Sequence, residues 1–116
     1  IGAAGERHPS AYIAGAAGNA ALMGFTRALA HSAHADGIRV VGINPGAILT
    51  ERAIMLARTK AEAQWGDAER WPDLHKSLPF GRAGLPEEVA HTVAFFASPL
   101  SAYTSGTILT IDGGKE

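Results

Sequence analysis

The chain has 116 residues, no cysteine, and 10 lysine and arginine residues against 11 aspartate and glutamate residues. This balanced charge gives no field that would favour nucleic acid or an anionic membrane, so neither is an expected partner. The lack of cysteine excludes disulfides and thiolate metal sites. No apolar run approaches the ~20 residues of a membrane span. The composition fits one domain, residues 1–116, in a reducing cytoplasm.

The chain opens with "IGAAG", whose small and apolar residues predict the end of a buried strand. Because the first residue is Ile1 rather than methionine, we expect the chain to begin inside a larger fold. Residues Ser10 to Ala35 contain no proline and are rich in alanine, which predicts a helix that ends at Gly37. Its small residues form one narrow stripe, Ala17, Ala21, Gly24 and Ala28. Such a stripe predicts close packing against a sheet or a partner helix.

The next stretch, "IRVVGINPG", predicts a short buried strand and the turn that ends it. Its β-branched residues are Ile38, Val40, Val41 and Ile43. The turn is Pro45-Gly46, and a helix is predicted from Ala47 to Gln64, with Thr50 as a candidate cap.

The remaining segments predict an irregular lobe, a second helix and a closing strand. The lobe runs from Trp65 to Phe80, the helix "LPEEVAHTVAFFAS" has Pro86 in its first turn, and "GTILTIDGG" is the strand. This order of elements predicts an α/β fold with a parallel sheet. Two strands do not make a stable sheet of that kind, so we expect the chain alone to be an unstable monomer.

Four segments in this order resemble the C-terminal half of the short-chain dehydrogenase/reductase (SDR) family: "NAALMGFTRALA", "GIRVVGINPGAILT", "RAGLPEEVAHTVAFFAS" and "SGTILTIDGG". The resemblance covers nearly the whole chain and is loosest between Ala53 and Leu78. It implies a Rossmann-like doubly wound parallel sheet, present only as its C-terminal portion, that binds NAD or NADP. It also implies an oxidoreductase that acts on the carbonyl/alcohol pair of a small-molecule substrate. The glycine-rich phosphate loop of such folds does not occur in these residues.

The catalytic positions of the family hold other residues in this chain. The family has a tyrosine, a lysine four residues later and a serine upstream, and the matching positions are Gly15, Asn19 and Gly2. In the family the tyrosine exchanges a proton with the substrate oxygen, and the ammonium favours its phenolate. Glycine offers no group for this chemistry, and Asn19 can hydrogen-bond a cofactor ribose but carries no charge. The resemblance therefore implies an atypical or degraded catalytic site.

Tyr12 is the candidate replacement for the missing tyrosine. It lies only about 20° around the helix from Asn19, but about 4.5 Å before Gly15. A regular helix would carry its hydroxyl further away, whereas an unwound first turn would re-aim it. Tyr12 is therefore either the catalytic residue or an ordinary half-buried aromatic at a helix start.

The segment "NPGAILT" matches the family's turn after the sixth strand. The resemblance implies that Pro45 and Gly46 shape a loop near the nicotinamide and that Ile48 offers backbone hydrogen bonds. It also implies that the Thr50 hydroxyl reaches the carboxamide or phosphate. The alternative is an ordinary strand-to-helix turn capped by Thr50. We expect Asn44 to brace the turn rather than to touch substrate.

Residues of about 50–80 correspond to the family's substrate lobe. Its large apolar residues either line a substrate pocket or form the core of the lobe: Trp65, Trp71, Leu74 and Phe80. His31 and His34 lack a third ligand, so the sequence predicts a solvated helix surface and no metal site.

Two classes of function follow. The first is an NAD(P)-dependent oxidoreductase with an atypical site, whose proton donor is Tyr12 or a group outside these residues. The second is a catalytically inactive cofactor-binding or structural subunit. Since family members commonly form dimers and tetramers, the resemblance also implies a homo-oligomer.

Overall fold

The computed structural model describes residues 1–115, which contain four α-helices and two β-strands. In chain order these are α1 (Ala4–Arg7), α2 (Ile13–Ala33), β1 (Gly42–Pro45), α3 (Glu51–Trp65), α4 (Pro86–Ala97) and β2 (Ile108–Ile111). Short 3₁₀ helices span Ser10–Tyr12, His34–Asp36, Ala68–His75, Pro79–Gly81 and Pro99–Ser101. Over these residues, no helix has the length and apolar character that crossing a membrane requires.

The two strands pair in parallel, with Gly42 opposite Ile108 and Pro45 opposite Ile111. This confirms the predicted α/β class and parallel sheet. The first strand is shorter than predicted. Before Gly42, a serine hydroxyl takes a backbone hydrogen bond that a neighbouring strand would otherwise accept. The Val40 N–H donates to the Ser105 hydroxyl at 3.0 Å, and the Val40 carbonyl accepts from the Gly106 N–H at 2.7 Å.

Helix α2 follows the predicted helix but begins later, at Ile13, after a 3₁₀ turn that ends at Tyr12. It ends at Ala33, and the 3₁₀ turn His34–Asp36 continues it to the predicted stop, where Gly37 takes a left-handed φ of 71° and its N–H caps the turn. The buried face carries Ala16, Met23, Thr26, Ala30 and Ala33, of which Thr26 and Met23 lie next to β1. The predicted stripe of small residues is exposed on another face of the helix. The prediction that this stripe packs against the sheet is therefore wrong.

The opening segment "IGAAG" is not a strand end, as the sequence predicted, but leads into the helical turn α1. Small residues suit this turn because it lies directly on α2. A Cβ at Gly5 would lie 2.7 Å from the Ala20 backbone nitrogen and 2.8 Å from Met23 Cε. Residues with side chains would therefore push α1 away from α2.

Helix α3 begins at Glu51 rather than at Ala47 because the residues between them form a strand-like bridge. The Leu49 N–H donates to the Gly84 carbonyl at 2.8 Å, and the Gly84 N–H donates to the Ala47 carbonyl at 2.9 Å. Thr50 caps the helix as predicted, since its Oγ1 accepts from the Ala53 N–H at 3.2 Å. The 3₁₀ helix Ala68–His75 packs on α3 and forms the lobe with it.

The buried apolar core is small and consists mainly of alanine: Ala3, Ala16, Met23, Ala30, Ala33, Ala61, Ala83 and Phe96. The molecule measures 57 × 29 × 22 Å, and its radius of gyration is 16.7 Å. A compact domain of this length has a radius of gyration of about 13 Å. The described residues therefore form an elongated layer with much of its apolar surface open.

Candidate functional site

The start of α2 and the Asn-Pro-Gly bend after β1 lie side by side, joined by two residues of the opening segment. The Gly2 N–H donates to Asn19 Oδ1 at 2.6 Å, and the Ala3 N–H donates to the Pro45 carbonyl at 3.3 Å. The bend lies at the carboxyl end of the parallel strands. In open α/β sheets ligands bind in the crevice outside that end, so this is the candidate site.

Tyr12 lies just before α2 with a non-helical backbone, φ −139° and ψ 46°. Its ring folds over Gly15, and a Cβ at residue 15 would overlap Cε1 and Cζ of the ring. The backbone is thus non-helical at Tyr12, while residues 13–15 belong to α2. The residue is 58% exposed.

Both polar atoms of the Asn19 side-chain amide form hydrogen bonds within the protein. Its Oδ1 accepts from the Gly2 N–H, and its Nδ2 donates to the Gly15 carbonyl at 2.8 Å. An amide nitrogen carries two N–H groups, so one remains for a ligand such as a ribose hydroxyl. Gly2 and Gly15, which the resemblance matches to two of the family's catalytic positions, thus each bond to the residue at the third, Asn19.

The bend requires glycine at residue 46. The Gly46 N–H donates to the Ile111 carbonyl at 2.9 Å, and a Cβ at Gly46 would lie 2.5 Å from Asp112 Cβ. Beyond the bend, Gly84 bonds to the residues on either side of Ile48, which leaves the Ile48 amide itself free of that bridge.

The two polar side chains flanking the bend have different environments. Thr50 uses its oxygen as a helix cap, which leaves the hydroxyl hydrogen able to donate. Asn44 is 0% exposed, and its Nδ2 lies 3.8 Å from Met23 Sδ on α2. Within the described residues Asn44 Oδ1 has no hydrogen-bond partner. Asn44 is thus buried beside the turn, and its role in bracing the turn stays a prediction.

A cavity of about 220 Å³ lies between the bend and the end of β2. Its apolar lining consists of Ala47, Leu78, Pro79, Phe80 and Ile111. Four charged side chains near it form two pairs: Arg82 binds Glu88 at 2.7 Å, and Arg7 binds Asp112. Lys115 also lines the cavity, so the lining is apolar with charged groups at its border.

The sequence analysis missed the link between α1 and β2. The Thr110 hydroxyl donates to Glu6 Oε2 at 2.7 Å, next to the ion pair of Arg7 and Asp112. The two partners of each pair lie at opposite ends of the chain, and no local pattern predicts such pairs. These contacts fix the opening segment against the edge where the bend lies.

The large apolar residues of the lobe serve different purposes. Trp65 packs under the Arg70 guanidinium at 4.5 Å, and Trp71 meets the His75 ring edge-on at 5.4 Å. Both contacts lie inside the lobe, which favours a core role for the two tryptophans. Phe80 instead lines the cavity and is 86% exposed.

The chain is similar to known proteins over nearly all its length. A family model described as enoyl-(acyl carrier protein) reductase matches residues 3–116. A 3-oxoacyl-[acyl-carrier-protein] reductase of Chlamydia pneumoniae is 38% identical over 114 residues, 98% of this chain and 40% of the relative. The chain thus spans about 40% of the length of this curated relative.

Two solved structures share the fold. One is an NADPH-bound short chain oxidoreductase from Pseudomonas aeruginosa PAO1, described as containing an atypical catalytic center. It is 31% identical with a TM-score of 0.80, and the match covers 99% of this chain and 43% of that chain. The other is L-sorbose reductase from Gluconobacter frateurii with NADPH and L-sorbose, 36% identical with a TM-score of 0.73, covering 82% and 37%.

Proposed function

Because the chain belongs to the short-chain dehydrogenase/reductase family, we propose that the protein is an NAD(P)-dependent oxidoreductase with an atypical proton donor. It acts on the carbonyl/alcohol pair of a small-molecule substrate. The observation that carries the proposal is the Tyr12 ring, which fills the space of the side chain that Gly15 lacks. Two structural relatives with bound NADPH, one of them with an atypical catalytic center, support the same function.

Residues of the bend fit a dinucleotide. Gly46 lets the backbone turn tightly, the Ile48 amide is free of the Gly84 bridge, and the Thr50 hydroxyl hydrogen is free to donate. With Pro45 and the remaining N–H of Asn19, these groups would hold the carboxamide and ribose of NAD or NADP. The bound dinucleotide supplies or accepts the hydride in such chemistry.

The chain's own contribution to the reaction is the proton. In the reductive direction the Tyr12 hydroxyl donates its proton to the substrate oxygen as the carbonyl becomes an alcohol. Asn19 is neutral and does not favour a phenolate as an ammonium would, so the site suits donation better than abstraction.

We also propose that residues 1–116 belong to one domain in which residues 50–80 cover the substrate. An open groove along α3 supports this role, with Ile54, Met55 and Ala63 in its lining. Exposed Leu22 and Phe25 beside the small-residue stripe of α2 support a homo-oligomer, a dimer or a tetramer. We place the protein in the cytoplasm, as predicted from its composition.

The test measures cofactor binding and turnover separately in the full-length protein. NADH and NADPH are titrated first, and a panel of ketones and aldehydes is then assayed with the cofactor that binds. We expect Tyr12→Phe to lower kcat by about 100-fold or more with unchanged cofactor affinity. Tyr103→Phe is the matched control, since Tyr103 is 105% exposed. Unchanged turnover of Tyr12→Phe would contradict Tyr12 as the donor.

A second function, a cofactor-binding or structural subunit without hydride chemistry, is favoured by one observation. Gly2, Gly15 and Asn19 provide neither a hydroxyl nor an ammonium at the family's catalytic positions. If the protein binds NADPH but the wild type and Tyr12→Phe are equally inactive on the whole panel, this second function replaces the first.

A further inference from the structure

The three residues at the replaced catalytic positions form one hydrogen-bonded unit. Asn19 accepts from the Gly2 N–H at 2.6 Å and donates to the Gly15 carbonyl at 2.8 Å. Gly15 lies one helical turn before Asn19, whereas Gly2 belongs to the opening segment. The amide therefore ties the first turn of α2 to a separate part of the chain.

This unit needs an amide at residue 19. The side chain must accept from one backbone group and donate to another, and asparagine does both. A lysine ammonium has three donors and no acceptor, so it would face the Gly2 N–H without a bond. A side chain at residue 2 would also crowd the amide, since a Cβ there would lie 3.3 Å from Asn19 Oδ1.

Glycine at residue 15 has a specific partner. A Cβ at Gly15 would overlap the Tyr12 ring, whereas a Cβ at Gly18 would meet no atom within 4 Å. Both glycines lie in α2, so general flexibility of the helix does not distinguish them. The Tyr12 ring thus packs directly on Gly15, and the Asn19 amide donates a hydrogen bond to the Gly15 carbonyl.

We propose that Asn19 is a positioning residue, whose amide fixes the Gly2–Gly15 unit and thereby the place of the Tyr12 ring in the site. The unit also reaches the bend, because Ala3, next to Gly2, donates to the Pro45 carbonyl. Gly2, Gly15 and Asn19 are then one coupled replacement of the family's serine, tyrosine and lysine. Restoring the lysine alone disrupts the site. Only the effect on turnover rests on the proposed function.

The first experiment compares Gly15→Ala with Gly18→Ala in the full-length protein carrying ¹³C-labelled tyrosine. The Tyr12 signals are assigned by their loss in Tyr12→Phe. We expect Gly15→Ala to shift the Tyr12 ring signals and to lower kcat about tenfold or more, with cofactor affinity unchanged. Gly18→Ala leaves signals and kcat unchanged. Unshifted Tyr12 signals in Gly15→Ala overturn the proposal.

The second experiment compares Asn19→Lys with Asn19→Asp. We expect Asn19→Lys to speed hydrogen exchange of the Gly2 amide about tenfold or more and to shift the Tyr12 signals. Asn19→Asp retains an acceptor for Gly2, so its Gly2 amide stays protected while the Tyr12 signals still shift. An unchanged Gly2 amide and Tyr12 ring in Asn19→Lys, or a gain in its turnover, overturns the proposal. These signals do not depend on catalysis. Turnover that survives Tyr12→Phe therefore refutes the proposed donor without touching the positioning result.

Discussion

Gly46 shows how a single residue sets the shape of the site. The bend after β1 passes so close to the end of β2 that hydrogen is the only side chain the space admits. A Cβ at residue 46 would meet both Cβ and Cα of Asp112, at 2.5 and 2.9 Å. The Asp112 backbone directly follows β2 and does not yield as the end of a flexible side chain does.

We therefore expect Gly46→Ala to destabilise the full-length protein by about 1–3 kcal/mol, the usual range for an overpacked site. It should also weaken NADPH binding, since the bend would move. Urea unfolding and a cofactor titration measure the two effects. Gly24→Ala is the matched control, because a Cβ there meets no atom within 4 Å. Equal stability and affinity in the two variants would contradict this account of the bend.

The sequence could predict the turn at Pro45-Gly46 because its signal is local. It also matched Gly15 and Asn19 to the family's catalytic positions, and this match stays a prediction. It could not predict that the Asn19 amide bonds to Gly2, since nothing in a helical pattern specifies a partner 17 residues away. The place of the Tyr12 ring depends on the unwound backbone of that residue, which the alanine-rich pattern does not reveal.

The start of α4 is held by charges that a pH titration can test. The Glu88 carboxylate binds the Arg82 guanidinium at 2.7 Å and accepts from the Leu85 N–H at 2.7 Å. The Arg82 hydrogen bond, followed by that of Leu85, lowers the pKa of Glu88 from 4.5 to about 2. A lowered carboxyl pKa means that the folded state favours the ionised form.

Glu88 therefore stabilises the fold fully above pH 4.5, and this contribution is lost as the pH falls toward about 2. We expect the amides in the first turn of α4 to lose protection from hydrogen exchange over that interval. In Glu88→Gln they should be less protected at neutral pH and show little further change. Glu87→Gln, a change on the exposed neighbour, should behave as the wild type. If the protection of these amides depends on pH in the same way in the wild type and in Glu88→Gln, this role of Glu88 is excluded.

The end of α4 depends on one cation from a distant part of the chain. Arg39 Nη1 donates to the carbonyls of Phe96 and Ser101 and to the Ser101 hydroxyl, at 2.8–3.0 Å, and Nη2 donates to the Ser98 carbonyl at 3.3 Å. A cation at a helix C-terminus is favourable, and the planar fork reaches several acceptors at once.

We expect Arg39→Lys to destabilise the full-length protein by about 1.5–3 kcal/mol, because a lysine cannot serve all of these acceptors. Thermal or urea unfolding gives the value, and Arg27→Lys on the exposed face of α2 is the control. If Arg39→Lys lowers the free energy of unfolding no more than Arg27→Lys does, the Arg39 guanidinium is not needed at the end of α4.

The elements with local start and stop signals were predictable. Pro86 begins α4, Thr50 caps α3, and Gly37 ends the turn after α2. The prediction of a strand end at "IGAAG" was wrong because small apolar residues suit a buried helical turn as well as a buried strand. Which of the two forms depends on packing against α2, and that packing is not local.

The whole molecule has more apolar surface than it covers. On α2 and α4, half-exposed or more exposed large side chains include Leu22, Phe25, Val93 and Phe95. The sheet consists of two strands among residues 1–115, and the buried core is mostly alanine. Since burial of large apolar side chains is the main stabilising contribution to folding, this core is weak for a chain of its length.

A polypeptide of residues 1–116 alone should therefore not behave as a stable monomer. We expect light scattering to show self-association and heating to give a broad transition without a sharp midpoint, because the open faces attract one another. Phe25→Lys should reduce the association by placing a charge at the single phenylalanine of α2, which is 62% exposed. Gly24→Ala, beside it on the same helix, serves as the control that leaves the apolar face intact. A monomeric polypeptide with a sharp, cooperative melt would show that the alanine-rich core suffices.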